Sequence, residues 1–414
     1  CRAYADWLIG MNATRALTKR LKSRKERGAW SAGRVQTPTL ALLVERELSV
    51  LAHVPQAFWR VTATFDHAGR SYDGTWYDPD FEPGDDDQRK DDRIFDEQRA
   101  QAIVEAVRDR TGVAGETRKP SREAAPPLFD LTALQRDANA RFSWSARRTL
   151  GAAQRCYEVH KLLTYPRTDS RCLPNDYREK VDQVLRSYAA ASADSPAAEF
   201  APLAGQLLDA GLQNTERVFN DAGVSDHFAI IPTGVLPKGE LRGDDRRLYD
   251  LVLRRFLGAF HPPALWERVE RITEVSGEGF RSRSRTLVER GWRTVLANGG
   301  NGEDETLPAL RKGESTTSGV EIRASSVEAD ADQTKAPARI TEARLLSLME
   351  NAGKWLEDEE LAAALHEKGL GTPATRADII ENLIAKGYAC LLYTSPSPRD
   401  STLDLVCRLR LEKG

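Results

Sequence analysis

Residues 57–76 and 265–296 each carry the two-residue alternation of a half-buried strand, and a long helical region separates them. In the first, Trp59, Val61, Ala63 and Phe65 alternate with polar residues, and a turn at Gly69 leads into RSYDGTWY. Successive strand side chains face opposite sides, so this pattern predicts a β-hairpin with one apolar face. The second stretch, LWERVERITEV, a Ser-Gly-Glu-Gly turn and FRSRSRTLVERGWRTV, repeats it. Two such segments flanking helices imply a sheet assembled from both, with the region between them inserted.

That region, 125–235, opens on a proline pair. Ser143 or Ser145 can cap a helix whose Ala146, Thr149, Leu150, Ala153 and Tyr157 share a face. Residues 1–50 also read as helical: ADWLIGMNATRALTKRL is amphipathic, and Thr37-Pro38 opens a second helix through LALLVERELSVL. The stretch 299–338, rich in Gly, Ser, Thr and Glu, reads as loop or linker. From 340 helical periodicity resumes in ITEARLLSLMENAG, LEDEELAAALHEKG and ATRADIIENLIAKGY, and there are no internal repeats.

With 414 residues the chain can form two to four domains. No apolar run approaches the length of a membrane span, which argues against a membrane role. The cysteines at 1, 156, 172, 390 and 407 form no CxxC pair, so neither a zinc ribbon nor a disulfide framework is indicated, and a reduced cytoplasmic compartment fits best. The chain starts at a cysteine without a signal-peptide pattern and reads as a fragment. Net charge is only -2, but the charges are segregated. Eight Lys or Arg between Arg15 and Arg34 face the single acid Glu26, whereas ten acids between Asp78 and Glu97 face three bases and read as a solvated face.

One short stretch concentrates reactive groups: KLLTYPRTDSR at 161–171. The phenol of Tyr165, with an ordinary pKa near 10, is a poor nucleophile unless charge is stabilised beside it. Arg167 offers a planar fork for a phosphate, and Thr168, Asp169 and Ser170 add hydroxyls and a carboxylate. Taken alone, the same residues also fit a strand end, a proline turn and a cap.

KLLTYPRTDSRCLP resembles the active-site tyrosine segment of the type IA DNA topoisomerases, with TYPRTDSR closest to the bacterial topoisomerase III branch. Four further segments match in the same order: ADWLIGMNATRALT at 5–18, SAGRVQTPTLALLVERE at 31–47, SDHFAIIPTG at 225–234 and GLGTPATRADII at 369–380. The resemblance implies a multidomain α+β fold, a toroidal core with a mainly helical base and tyrosine domain and a β-rich arch. The base would comprise 1–50 and 339–389, the arch 51–124 and 236–338, and the inserted tyrosine domain 125–235.

For function, the resemblance implies cleavage of one DNA strand through a 5'-phosphotyrosyl intermediate, strand passage and resealing without ATP. The absence of a GxxxxGK[ST] loop agrees. Tyr165 matches the nucleophile, Arg167 the arginine that steadies the scissile phosphate, and His227 a histidine supporting cleavage by hydrogen bonding. Phe228 stands where many relatives carry a second histidine. Arg34, Gln36, Asp169, Ser170, Thr372, Thr375 and Arg376 match positions that bind the DNA strand. Gln135 and Glu342 also fall in matching segments, where capping or packing explains them equally well.

The family's Toprim domain, which carries the Mg2+ ligands, would lie upstream of ADWLIG and has no counterpart here. The resemblance therefore implies Mg2+ for the full-length family member, no metal ligands in this chain, and impaired activity for the chain alone. It also implies single-stranded DNA as partner, a monomer in the cytoplasm at the nucleoid, and leaves a helicase partner open. After IAKGYA, the segment CLLYTSPSPRDSTLDLVCRLRLEKG departs from the family and resembles a translated sequencing adapter. Residues 390–414 are accordingly expected to be a non-native or disordered tail. The alternatives are a single-strand DNA-binding module without cleavage activity and a helical scaffold without DNA contact.

Overall fold

The computed structural model describes residues 2–22, 28–84, 86–237, 239, 241–296, 307–311, 314, 316–355, 369–393 and 403–407. The chain runs through α1 (Arg2–Arg20), α2 (Gln36–Ala52), β1 (Ala57–His67), β2 (Arg70–Trp76), α3 (Glu97–Val107) and β3 (Thr111–Glu123). There follow α4 (Leu131–Phe142), α5 (Ala146–Glu158), α6 (Arg178–Ala189), α7 (Ala201–Ala210), α8 (Thr215–Val218) and α9 (Gly243–Ala259). The remaining elements are β4 (Ala264–Val275), β5 (Glu278–Glu289), β6 (Thr316–Gln333), β7 (Ile340–Thr341), α10 (Glu342–Glu350), α11 (Pro373–Ala385), β8 (Ala389–Tyr393) and β9 (Leu403–Cys407). They fall into two compact units, one of residues 53–125 and 261–336, the other of residues 1–52, 126–260 and 337–414.

The first of these units is a closed antiparallel barrel in the order β1-β2-β5-β4-β3-β6. The two expected hairpins are both present, and they join edge to edge through Thr75↔Arg281 and Trp76↔Phe280. Their turns are tight: Ala68 and Gly69, and Ser276 and Gly277, all have positive φ, the conformation that matches the right-handed twist of the flanking strands. The inward residues Val61, Ala63, Phe65, Tyr72 and Phe280 pack with Ile103, Val104 and Val107 of α3. Asp91 and Asp92 of the acidic run are not merely solvated, because they pair with Arg281 and Arg60 at 2.5 and 3.0 Å.

Within the expected loop at 299–338, residues 316–333 instead form β6, an 18-residue strand that pairs with β1 and β3, while 299–306, 312, 313 and 315 lie outside the described residues. Its Val320, Ile322, Ala324 and Val327 enter the core while Ser, Glu and Asp face outward. A strand flanked on both sides by others gains its stability from the ladder and the shared core, which overrides weak intrinsic propensity.

The other unit is mainly helical. Ser145, not Ser143, caps α5, accepting from Arg148 N–H at 3.2 Å, whereas Ser143 closes α4 in the left-handed region at φ 53. Ala146, Thr149, Leu150 and Ala153 of α5 are buried as the periodicity predicts. Residues 243–259, assigned to the arch from sequence, instead form α9 in this unit. Leu248, Val252, Phe256 and Leu257 are buried along it, and Arg148 and Arg155 of α5 pair with Asp244 and Asp245 at 2.8 and 2.7 Å. A second core joins Leu43 of α2, Leu345, Leu346 and Met349 of α10, and Ala377, Ile380 and Leu383 of α11. By contrast Trp7, Ile9 and Met11 of α1 are exposed, so its apolar residues do not meet this core.

The expected disorder from 390 onward does not hold for residues 390–393 and 403–407. They belong to β8 and β9, which form a three-stranded sheet with β7 in the order β7-β9-β8. The alternation in LDLVC supplies a strand that the Ser-Pro run before it obscures. Residues 394–402 and 408–414, and the helical pattern at 356–368, lie outside the described residues.

Candidate active site and strand-binding residues

Helix α5 delivers the chain to an extended segment at 162–173, and residues 229–233 run antiparallel beside it. Thr164 N–H donates to Ile231 O at 3.0 Å, Thr233 N–H to Leu162 O at 2.9 Å and Ala229 N–H to Cys172 O at 3.0 Å. This pairing carries His227 to Tyr165. Their rings lie 4.4 Å apart at 49°, and the edge of Tyr157 meets Tyr165 at 5.5 Å and 78°. Thr168 Oγ1 donates to His227 O at 3.0 Å and fixes the register of the two segments.

Tyr165 is half-buried, with its ring wedged between those of Tyr157 and His227. Among the described residues no hydrogen bond engages its hydroxyl. Arg167 is exposed and forms no ion pair among the described residues. Its guanidinium is held by Gln154 of α5, whose amide oxygen, turned toward it, accepts from Nε at 3.3 Å and Nη2 at 2.8 Å. A neutral acceptor orients the fork without cancelling its charge, leaving the remaining N–H groups for an anion. Gln154 was not singled out from sequence; its signal is its position on the face of α5 one turn before Tyr157.

The other residues of the segment divide. Asp169 is exposed, and its Oδ1 accepts from Ser225 Oγ at 2.6 Å. Ser170 is buried and donates to Gly223 O at 2.6 Å, so its hydroxyl ties down a loop and does not face a strand of DNA. Phe228, at the position where the resemblance puts a second histidine in many relatives, packs against Tyr177 at 4.5 Å. Asp130 caps α4, accepting from Ala133 N–H at 2.6 Å, and also binds Arg171, which reaches Glu350 of α10 at 3.1 Å.

The two remaining motifs meet each other. Gly371, at φ 69, sits so close to Val35 that a Cβ there would lie 3.2 Å from its Cγ1. Gln36 donates to Ser31 Oγ at 3.1 Å and accepts from Lys386 Nζ at 3.0 Å, which makes Lys386 a neighbour that sequence did not suggest. Arg34 is exposed and bonded to Asp6 at 2.6 Å, which raises its pKa. Thr372 and Thr375 are exposed at the start of α11, where Thr375 Oγ1 accepts from Thr372 N–H at 3.1 Å.

Arg376 differs from its expected role. It is 4 % exposed, and its donors go to Leu370 O at 3.1 Å, Thr132 Oγ1 at 2.9 Å and Gly371 O at 3.2 Å. Burial lowers its pKa, opposed by the charges of Glu350, Asp130 and Asp169. Its fork supports the glycine turn from beneath and does not reach outward to a phosphate.

Glu342 and Gln135 both hold the start of α5. Glu342 accepts from Ala146 N–H at 2.8 Å, and Gln135 Nε2 donates to Ala146 O at 3.0 Å. Burial pushes the Glu342 carboxyl up to about 7. Among the described residues no three His, Cys, Asp or Glu side chains are grouped to hold a metal ion.

A family model described as DNA topoisomerase matches residues 1–410. The chain is 38% identical over 393 residues to DNA topoisomerase 3 of Bacillus subtilis, covering 92% of this chain and 50% of the relative. It is 36% identical over 394 residues to DNA topoisomerase 3 of Bacillus anthracis, with the same 92% and 50% coverage. The structure is similar in fold to full-length topoisomerase I from Thermotoga maritima, with TM-score 0.61, 22% identity, and coverage of 93% of this chain and 55% of that one. The chain spans about half the length of the curated relatives it matches.

Proposed function

The chain belongs to the type IA DNA topoisomerase family, and on that premise we propose that it forms the strand-cleaving core of a topoisomerase III-like enzyme. The observation that carries this reading is Tyr165 packed against His227, beside an arginine oriented by a neutral partner. In the proposed reaction Tyr165 Oη attacks the phosphorus of one DNA strand. The bond to the 3' oxygen breaks, the phosphate stays on the tyrosine as a 5'-phosphotyrosyl ester, and the 3'-hydroxyl leaves with a proton. The ester conserves the energy of the phosphodiester, so resealing is the reverse attack and needs no ATP.

Arg167 would hold the non-bridging oxygens as charge develops on them, and Gln154 would keep its fork in place. His227 would fix the tyrosine ring and supply a hydrogen-bonding group at its face. Arg34, Gln36 and Lys386, with the Thr372–Thr375 turn, would hold the strand leading to the site through phosphate and sugar contacts. Mg2+ enters this reading only through the family resemblance, and no step is assigned to it. Single-stranded DNA is the proposed partner, acted on by a monomer in the cytoplasm. No described helix is long and apolar enough to cross a membrane.

Denaturant trapping on a labelled single-stranded oligonucleotide tests the proposal, using the chain alone and joined to the Toprim domain of a relative. The expected result is an adduct that Tyr165→Phe abolishes while single-strand binding persists. An undiminished adduct in Tyr165→Phe overturns the assignment. Arg167→Ala is expected to slow adduct formation by roughly 10²-fold, the usual cost of removing one preorganised donor from a developing charge. Gln154→Ala should slow it less, and Gln154→Glu, which neutralises the fork, should slow it more than Gln154→Ala.

A further inference from the structure

We propose that one end of the barrel contains a phosphate-binding pocket, a site separate from the tyrosine chemistry and independent of its assignment. A cavity of about 230 Å³ is lined by His67, Ala68, Arg70, Tyr72, Arg271 and residues 308–310. With roughly 30 Å³ per water in the liquid, it holds several waters or a phosphate with part of its ester group. Among the described residues its lining contains two arginines and a histidine and no acid.

Arg271 is fully buried, and its guanidinium is fixed in orientation. It lies 4.1 Å from the centroid of the Tyr72 ring, whose hydroxyl meets Thr273 Oγ1 at 2.9 Å. Nε and Nη2 donate to Glu116 Oε2 at 3.1 and 2.5 Å, and Nη2 also reaches Pro308 O. Nη1 has no partner. Buried donors are almost always satisfied, and an arginine cannot relieve the deficit by losing its proton. An acceptor belongs there.

The chain of Arg271, Glu116, Arg118 and Glu267 is balanced, so the charge that favours an anion over water alone comes from Arg70. The Glu116 carboxylate is already shared between Arg271 and Arg118 at 2.9 Å, and Arg118 also binds Glu267 at 2.7 Å. Arg70 at the rim is exposed and forms no ion pair among the described residues. His67, whose Nδ1 is 3.2 Å from Glu321 O, also lines the cavity. A buried fork, an exposed guanidinium and an imidazole line the same cavity, and charge-assisted donors of this kind suit a phosphate. The phosphate can come from a free monoester or from the backbone of DNA, and the chemistry of recognition is the same.

Titration calorimetry of the whole chain in phosphate-free chloride buffer decides the matter, with inorganic phosphate, thymidine monophosphate and a single-stranded oligonucleotide as three arms at matched ionic strength. Saturable binding of one equivalent of inorganic phosphate is expected, weakened at least ten-fold in Arg70→Ser. Hydrogen exchange of 70–76 should slow on adding phosphate to the wild type, and should match the wild type in the phosphate-free variant, which establishes that the variant is folded. If thymidine monophosphate binds as tightly as the oligonucleotide, with both affinities falling in Arg70→Ser, the site takes a terminal phosphate. If only the oligonucleotide loses affinity on top of the phosphate effect, the source is the DNA backbone. No saturable phosphate binding, or binding unchanged in Arg70→Ser, overturns the proposal.

Discussion

Glu116→Ala is expected to destabilise the barrel by about 3–5 kcal/mol, the usual consequence of removing one partner from a buried ion pair. Burial alone pushes the Glu116 carboxyl up, but the hydrogen bonds and charges of Arg271 and Arg118 outweigh it and hold it below the ordinary range. Without the carboxylate, Arg271 keeps its charge inside the barrel with only Pro308 O and the Tyr72 face as company. Because the folded pKa lies below the unfolded one, this contribution is present above the usual glutamate range and is lost as pH falls through the folded value. Urea unfolding of the barrel, followed by hydrogen exchange in β3 and β4, measures the loss. The double variant Glu116→Leu, Arg271→Met should recover most of it, since no unpaired charge then remains. Equal destabilisation by the single and double variants would contradict this account.

Glu342→Gln should act in the opposite direction above neutral pH. The carboxyl of Glu342 is raised by burial, with the Ala146 N–H bond opposing and Glu381 reinforcing, to about 7. An unfolded glutamate titrates near 4.3. The fold therefore binds the proton more tightly than the unfolded chain. Stability from this group is complete below the unfolded pKa and declines as pH rises toward and through 7. At about 1.4 kcal/mol per unit over about 2.7 units, the decline amounts to roughly 4 kcal/mol. Glutamine retains an oxygen for Ala146 N–H and carries no charge, so the variant should match wild type near pH 4 and exceed it by about 3–4 kcal/mol at pH 8. Denaturation midpoints at pH 4, 6 and 8 test this, and a wild-type advantage that grows with pH would refute it.

Much of this architecture is legible in the chain, for reasons visible residue by residue. Period-two alternation at Trp59, Val61, Ala63 and Phe65 reports a strand directly, because one face meets a core and the other does not. Strand β6 escapes the same reading because its apolar positions, Val320, Ile322, Ala324 and Val327, shift register between 324 and 327 and are interspersed with Ser and Gly. The helix at 243–259 packs outside the arch in which its sequence neighbours place it, because sequence pattern identifies an element's type but not the partner against which it packs. For the site, Tyr165 and Arg167 stand two residues apart, and His227 was reachable only through its motif. Arg376 shows the limit of that route: its motif points to DNA, yet its guanidinium is consumed by Leu370, Gly371 and Thr132. Gln154 and Lys386 are not legible in the sequence, because uncharged or exposed helix residues carry no signal until the fold sets a neighbour beside them.

The central claim is that Tyr165 becomes covalently attached to DNA. It is tested most directly by digesting the trapped complex with nuclease and trypsin and identifying the peptide that carries the residual nucleotide. The account predicts the mass of a 5'-linked nucleotide on LLTYPR, residues 162–167, with the modification on its tyrosine. A nucleotide found on Tyr157, on a serine or on any other peptide, with LLTYPR unmodified, would contradict it.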